Sequence, residues 1–140
     1  MSEQNKALAD RFHMGIFQEG RLAVADEMLS RDFTWHGGAA PPQQPCGPEG
    51  VKEVAAAVIG AFPDRKIVHH DAIAEGDKVL IRWSMSGTHR GDFMGIPATG
   101  KPMTVTGFDY FRISGGKIVE MWQEMDIMGM MRQLGVLPSG

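Results

Sequence analysis

The sequence predicts an α+β fold in which three N-terminal helices pack on one face of a curved antiparallel sheet. A conical pocket is expected between the two layers, and a short helix ends the chain. Two observations lead to this prediction: apolar residues recur at helical spacing before Pro63, and after it they alternate with polar residues in four long segments. The chain has 140 residues, of which 43% are hydrophobic and 22% charged, so it suits a single domain spanning 1–140.

The first helix is predicted from an apolar stripe near the N-terminus. Leu8, Phe12 and Ile16 recur every four residues, and Phe17 lies beside them on the same face. Gly20 is the expected end of the helix, because glycine accepts the left-handed backbone that follows many helices. We therefore expect this helix to bury its stripe against the sheet.

Two further helices and one strand are expected before Pro63. A short helix fits Leu22–Leu29 and leads into a strand at Asp32–His36. A proline-rich loop, 37–47, separates this strand from the third helix. That helix begins with Pro48 in its first turn, where proline costs no hydrogen bond, and ends before Pro63.

The second half of the chain is predicted to form strands, because apolar and polar residues alternate along it. Glycine-containing turns at 76–77 and 115–116 join two pairs of these strands. Asp126 is the expected N-cap of a terminal helix that closes at Gly135. The predicted strands are Lys66–Glu75, Lys78–His89, Met103–Ile113 and Lys117–Met125.

Composition excludes several classes of function. The formal net charge of −3 gives no basic surface for nucleic acid or anionic lipid. Cys46 is the single cysteine, so an internal disulfide is impossible and a reducing cytoplasm is expected. The polar start of the chain lacks the apolar stretch of a signal peptide, and the longest apolar run is too short to cross a bilayer. We expect a cytoplasmic protein.

Polar residues interrupt the apolar face of two predicted strands. Asp109 lies among Val105, Phe111 and their neighbours, and Gln123 lies among methionines. A three-residue hairpin loop at 115–117 would place Asp109 directly opposite Gln123, both pointing inward. An isolated carboxyl among apolar groups favours its neutral form, so Asp109 could hold and transfer a proton near neutral pH. A purely structural Asp109 remains the alternative.

Other side chains are candidates for the same pocket. His89 ends the inward face of its strand, and His36 lies on a strand whose inward face the sequence leaves open. His69 and His70 are adjacent on a strand and must point to opposite faces, so they cannot form one metal site, and no metal is expected. Aromatic and methionine side chains would bind a flat ligand or merely fill the core: Phe17, Trp35, Trp83, Met85, Met121 and Met125.

Several motifs resemble those of the SnoaL-like polyketide cyclases, which belong to the nuclear transport factor 2-like superfamily. The segment 87–101 reads GTHRGDFMGIPATGK, and Gly47-Pro48 and Phe62-Pro63-Asp64 precede it. Further matching motifs are Glu75-Gly76-Asp77, Gly116-Lys117-Ile118-Val119-Glu120-x-Trp122 and Asp126-x-x-Gly129-x-x-x-Gln133-Leu134-Gly135. The resemblance runs in order along nearly the whole chain.

The resemblance implies an enzyme that needs no cofactor and closes a ring on a hydrophobic polyketide by an intramolecular aldol reaction. It also implies a catalytic aspartate at the position of Gln123, with a histidine facing it at the position of Asp109. This chain departs from both. Asp109 is therefore the expected proton donor or acceptor, Gln123 the hydrogen-bond donor to an enolate oxygen, and His89 or His36 the relay.

Other functions stay open. The spacing of Asp109 and Arg112 resembles that of ketosteroid isomerases, whose base would fall at His36 or Gly37. Relatives of the cyclases that hydroxylate, hydrate or isomerise a ring are one alternative, and a binding protein without catalysis is another. The outward face of the sheet also carries apolar side chains, which predicts a homodimer: Leu80, Phe108, Tyr110, Ile118 and Trp122.

Overall fold

A computed structural model describes residues 2–137 of the chain. Four α-helices and one π-helical segment, Phe12–Gln18, accompany five strands in this range. The helices are α1 (Ser2–Arg11), α2 (Val24–Met28), α3 (Gly47–Ala61) and α4 (Ile127–Gln133). The strands are β1 (Leu29–His36), β2 (Lys66–Glu75), β3 (Lys78–Thr88), β4 (Pro102–Ser114) and β5 (Lys117–Met125). The α+β class is confirmed, and β2 and β5 have the predicted bounds.

The five strands form one sheet in the order β1-β5-β4-β3-β2. Strands β2 to β5 pair antiparallel, whereas β1 runs parallel to β5. The prediction of a wholly antiparallel sheet is therefore wrong at β1. The reason lies in the connections: hairpins force antiparallel neighbours, but a loop and α3 separate β1 from the other strands and leave its direction free.

The helices pack on the inner face of the sheet and build the hydrophobic core there. Fully buried side chains of the N-terminal helical region meet those of the sheet, as where the rings of Phe12 and Phe111 lie 5.3 Å apart. Helix α3 has proline in its first turn, as predicted, and buries Val51, Ala55 and Val58. The second helix is shorter than predicted because β1 already begins at Leu29.

The β4–β5 hairpin brings Asp109 opposite Gln123, as predicted, but by a different route. Its loop has two residues, Gly115 and Gly116, both with positive φ, instead of the expected three. A two-residue loop alone would pair Asp109 with Trp122. The register shifts by one residue beyond Ile113, which restores the pairing with Gln123.

Candidate active site

A cavity lies between the helices and the inner face of the sheet. Its volume is about 60 Å³. Its wall is apolar apart from His13, Asp109 and Gln123 and the indole nitrogens of two tryptophans. Five of the predicted ligand-binding side chains line it: Phe17, Trp35, Trp83, Met85 and Met125. Met121 does not, because it is fully buried in the core, across from Phe111.

Asp109 is the centre of the polar group in this wall. Its side chain is 1% exposed, and both of its oxygens have partners. Nε2 of Gln123 donates to Oδ1 over 3.0 Å, and Nε2 of His13 lies 2.6 Å from Oδ2. The prediction of an isolated carboxyl is wrong, because His13 approaches from the helical layer.

Gln123 is held in one orientation by the turn that follows β1. Its Oε1 accepts a hydrogen bond from the backbone N–H of Ala39 over 2.9 Å, so its NH₂ group faces Asp109. Gly38, at φ +55°, leaves no room for a Cβ, which would fall on Oε1 of Gln123. The turn thus fixes the orientation in which Gln123 meets Asp109.

His13 reaches Asp109 from the π-helical segment. The first helix does not continue as an α-helix to Gly20: it widens at Phe12, and the N–H of Glu19 bonds to the carbonyl of Met14, five residues back. Such segments are frequent at functional sites. His13 is not among the predicted site residues, although it lies four residues after Ala9 and four before Phe17, on the buried face.

Two further side chains extend the group towards solvent. Nε2 of His69 on β2 lies 2.6 Å from Nδ1 of His13, and Nδ1 of His69 lies 3.2 Å from Oδ1 of Asp10 on α1. Burial, together with nearby His13, lowers the pKa of His69 from its ordinary value, although Asp10 and Asp109 act in the opposite direction. His70 points the other way, as predicted, and contacts Ser84.

His36 and His89 lie away from the cavity wall. His36 is on the outer face of the sheet, where it stacks on Trp122 and its Nε2 lies 2.7 Å from Oε2 of Glu120. This contact, followed by that of Arg112, lowers the pKa of the Glu120 carboxyl. His89 is fully buried, but its Nδ1 lies 3.0 Å from Oγ1 of Thr99 at the base of the β3–β4 loop. Neither position suits the predicted relay.

Two buried donors in the wall have no partner among the described residues. Nε1 of Trp35 and Nε1 of Trp83 are both buried, and both residues line the cavity. Gly107 leaves room for the indole ring of Trp83, since a Cβ at residue 107 would come within 2.6 Å of that ring. Buried N–H groups normally find an acceptor, so the cavity offers two donors to a ligand oxygen.

Asp126 caps α4, accepting a hydrogen bond from the N–H of Gly129 over 2.9 Å, as predicted. In the described part of the chain, no three histidine, cysteine or acidic side chains are placed to hold a metal ion. No helix within residues 2–137 is long and apolar enough to span a membrane.

Comparison with known proteins decides the family. The family model described as SnoaL-like polyketide cyclase matches residues 7–134. The chain belongs to the SnoaL-like polyketide cyclase family. No protein of curated function matches the sequence significantly.

Solved structures agree with this assignment. IdmH of Streptomyces antibioticus, described as a proposed polyketide cyclase, is 32% identical, with a TM-score of 0.77 over 95% of this chain and 99% of that one. TsrD of Streptomyces laurentii is 29% identical, with a TM-score of 0.85 over 96% and 97% of the two chains. A proposed polyketide cyclase of Acidithiobacillus ferrooxidans is 27% identical, with a TM-score of 0.82 over 94% of each. The same fold therefore extends over 94–96% of this chain.

Proposed function

We propose that this SnoaL-like chain is an acid/base enzyme that needs no cofactor and closes a ring on a hydrophobic, carbonyl-bearing small molecule. The observation that carries the proposal is the contact of Asp109 with His13 in the wall of an apolar cavity. A carboxylate beside an imidazole is a suitable proton acceptor and donor when water is excluded. Family membership supports the cyclase type of reaction.

In the proposed reaction, Asp109 removes a proton from the carbon next to a ligand carbonyl, and an enolate forms. The unpartnered indole N–H groups of Trp35 and Trp83 are suited to donate to the oxygen on which this charge develops. The enolate carbon then bonds to a second carbonyl carbon of the same molecule. The proton on Asp109 passes to the resulting alkoxide, so the ring-closed product has the same composition as the substrate.

Gln123 has a different role from the one predicted from sequence. Its amide is engaged by Asp109 and Ala39, so we assign it to orienting the carboxylate. His13 holds the other carboxylate oxygen and fixes the direction of the remaining lone pairs. Both residues thereby hold the carboxylate in one orientation before the reaction. It then loses less rotational freedom on reaching the transition state.

A ligand must displace side chains to enter. The cavity volume of about 60 Å³ is well below the roughly 300 Å³ of the smallest usual ligand pockets. The wall includes Met85, Met125 and Met130, whose unbranched side chains rearrange at low cost. We therefore propose that the cavity widens around the ligand.

The proposal is tested by following deuterium uptake from D₂O into 2-tetralone, a flat bicyclic ketone, by ¹H NMR. The wild-type chain should accelerate exchange next to the carbonyl, and Asp109→Asn should lose most of that acceleration, by roughly 10²- to 10⁴-fold. His70→Gln, on the outer face, is the matched control and should exchange like wild type. Equal exchange by wild type and Asp109→Asn would refute the assigned role, and binding without exchange would favour a carrier.

We also propose that two copies of the chain associate through the outer face of the sheet. Phe108, Tyr110 and Trp122 are adjacent on β4 and β5 and are 47%, 38% and 37% exposed. A cluster of exposed aromatic side chains is typical of an interface.

A further inference from the structure

Four side chains form a continuous line of hydrogen-bonding contacts from solvent to the buried carboxyl. The line runs from Asp10 through His69 and His13 to Asp109, with contacts of 3.2, 2.6 and 2.6 Å. Side-chain exposure falls along it from 57% at Asp10 to 17%, 7% and finally 1% at Asp109. Every contact joins two ring nitrogens or a ring nitrogen and a carboxylate oxygen, all of which bind protons.

We propose that His69 and His13 conduct protons between solvent at Asp10 and the buried carboxyl of Asp109. The catalytic use of this relay rests on the function proposed above. The relay itself is a property of the four side chains and can be tested without a substrate.

The protons along the line balance at each step. In the resting form, Nε2–H of His13 donates to Asp109, and Nε2–H of His69 donates to Nδ1 of His13. A proton arriving from solvent binds Nδ1 of His69, beside the Asp10 carboxylate. His69 then passes its Nε2 proton to Nδ1 of His13, and His13 passes its Nε2 proton to Oδ2 of Asp109. Both imidazoles end neutral, and the carboxyl has gained one proton.

The surroundings of His69 suit transient protonation. Three charged or titratable groups of the described residues face it: Asp10 of α1, His13 of the π-helical segment and Asp109 of β4. Its neighbour on β3 is the uncharged Trp83. Burial and His13 lower the pKa of His69, so a proton that it accepts is readily passed on. Asp10 attracts that proton to the solvent-facing nitrogen.

The position of the line separates it from the route of the ligand. His13 and Asp109 belong to the cavity wall, whereas His69 and Asp10 do not. A ligand that fills the cavity therefore leaves the line open. A carboxyl enclosed by an apolar ligand and apolar walls would otherwise have no exchange path for its proton.

The first test uses the full chain without a substrate, labelled with ¹⁵N in its histidine rings. In Asp109→Asn, Gln123 still donates to the amide oxygen, so the new NH₂ group must donate to Nε2 of His13. That bond forces the hydrogen of His13 onto Nδ1 and the hydrogen of His69 from Nε2 onto Nδ1. We expect the ¹⁵N spectrum of His69 to show a protonated Nε2 in the wild-type chain and a protonated Nδ1 in Asp109→Asn.

His70 is the internal control for this spectrum, because it lies on the opposite face and its signals should stay unchanged. The same Asp109→Asn substitution placed on a His13→Gln background should leave the tautomer of His69 unchanged, since the bonded path is then broken. An unaltered His69 in the Asp109→Asn single variant overturns the relay.

The second test measures deuterium exchange into 2-tetralone as a function of imidazole buffer concentration. His69→Gln can still hydrogen-bond to His13 but cannot carry a proton. We expect at least a tenfold loss of exchange rate at low buffer concentration, an unchanged KM, and recovery as imidazole is raised. His70→Gln should show none of these effects.

The outcomes separate the two proposals. Loss of exchange in Asp109→Asn with a His69→Gln rate equal to wild type at low buffer overturns the relay and leaves the function standing. A His69→Gln loss that imidazole does not restore shows a structural role only and also overturns the relay. If wild type gives no exchange at all, the proposed function fails, and the nitrogen spectrum still decides the relay.

Discussion

Gly38 controls the side chain that orients the candidate catalytic carboxyl. Its φ of +55° strains any other residue, and a Cβ there would fall on Oε1 of Gln123. Gly38→Ala should cost about 1 kcal/mol for the left-handed backbone and about 1–3 kcal/mol more for the displaced Gln123 and its unpaired buried partner. Chemical denaturation measures the sum.

Gly76→Ala is the matched control for this prediction. Gly76 has φ +60°, and a Cβ there meets nothing within 4 Å, so only the backbone cost of about 1 kcal/mol is expected. Equal losses of unfolding free energy in Gly38→Ala and Gly76→Ala would show that the turn does not hold Gln123 in place.

Titration of His69 makes the stability of the fold depend on pH. Its pKa is lowered on folding, so the unfolded chain binds more protons just below the ordinary value of 6.5. The free energy of unfolding should therefore fall as pH decreases from about 6.5 towards 5, where carboxyls still contribute little. Denaturant titrations should give a smaller fall in His69→Gln than in wild type, and an unchanged fall in His70→Gln. The same slope in all three chains would contradict this origin.

Only the polar wall residues that lie on strands could be predicted from sequence, because the alternation of polar and apolar residues along a strand reveals them. Asp109 and Gln123 interrupt the apolar face of neighbouring strands, and both line the cavity. His13 lies among apolar helical residues, where a histidine is often only a core residue, so the pattern did not distinguish it. Its contact with His69 joins residues 56 apart in sequence, and no local pattern contains that information.

At the scale of elements, the pairing of Asp109 with Gln123 in the β4–β5 hairpin was predicted correctly although the predicted loop length was wrong. Alternation places Asp109 and Gln123 on inward faces, and the buried face then demands that they meet. The loop length that satisfies this demand was wrong, because a register shift beyond Ile113 takes up the missing residue. Bulges of this kind leave little trace in the pattern of hydrophobic residues.

The β3–β4 loop closes the cavity through one aromatic side chain. Phe93 is 5% exposed, lines the cavity and packs on Phe62 with ring centres 5.3 Å apart. Backbone bonds between Phe93 and Ile96 hold the turn, and His89 with Thr99 holds its base. Movement of this loop would therefore enlarge the space further.

Phe93→Ala should open this cavity. We expect a loss of unfolding free energy of about 3 kcal/mol, since a loop can collapse in part around the lost ring, and tighter binding of the hydrophobic dye anilinonaphthalene sulfonate. Met94→Ala changes the next side chain, which is 43% exposed, and should alter neither property. Dye affinity equal to wild type in Phe93→Ala would show that the ligand enters elsewhere.

At the scale of the whole molecule, the outer face of the sheet leads to a prediction about assembly. Phe108, Tyr110 and Trp122 expose adjacent aromatic surface, with the Arg112–Glu120 ion pair on the same face. A twofold axis would bring each cluster against its copy, so the same residues would bury apolar area twice. Phe108→Glu would instead place two carboxylates in the interface, which is costly without partners. We expect sedimentation at micromolar concentration to give twice the chain mass for wild type and the single-chain mass for Phe108→Glu.

Met128→Glu is the control for this experiment, because Met128 is 62% exposed on α4 and is not part of the aromatic cluster on β4 and β5. It adds the same charge and should leave the dimer intact. Circular dichroism should be unchanged in both variants, since both side chains point into solvent in the single chain. Because the line from Asp10 to Asp109 lies on the opposite side of the sheet, the monomeric variant should also keep its deuterium exchange. If the wild-type chain is a monomer at micromolar concentration, or if Phe108→Glu is still a dimer, the outer face of the sheet is not an interface between copies.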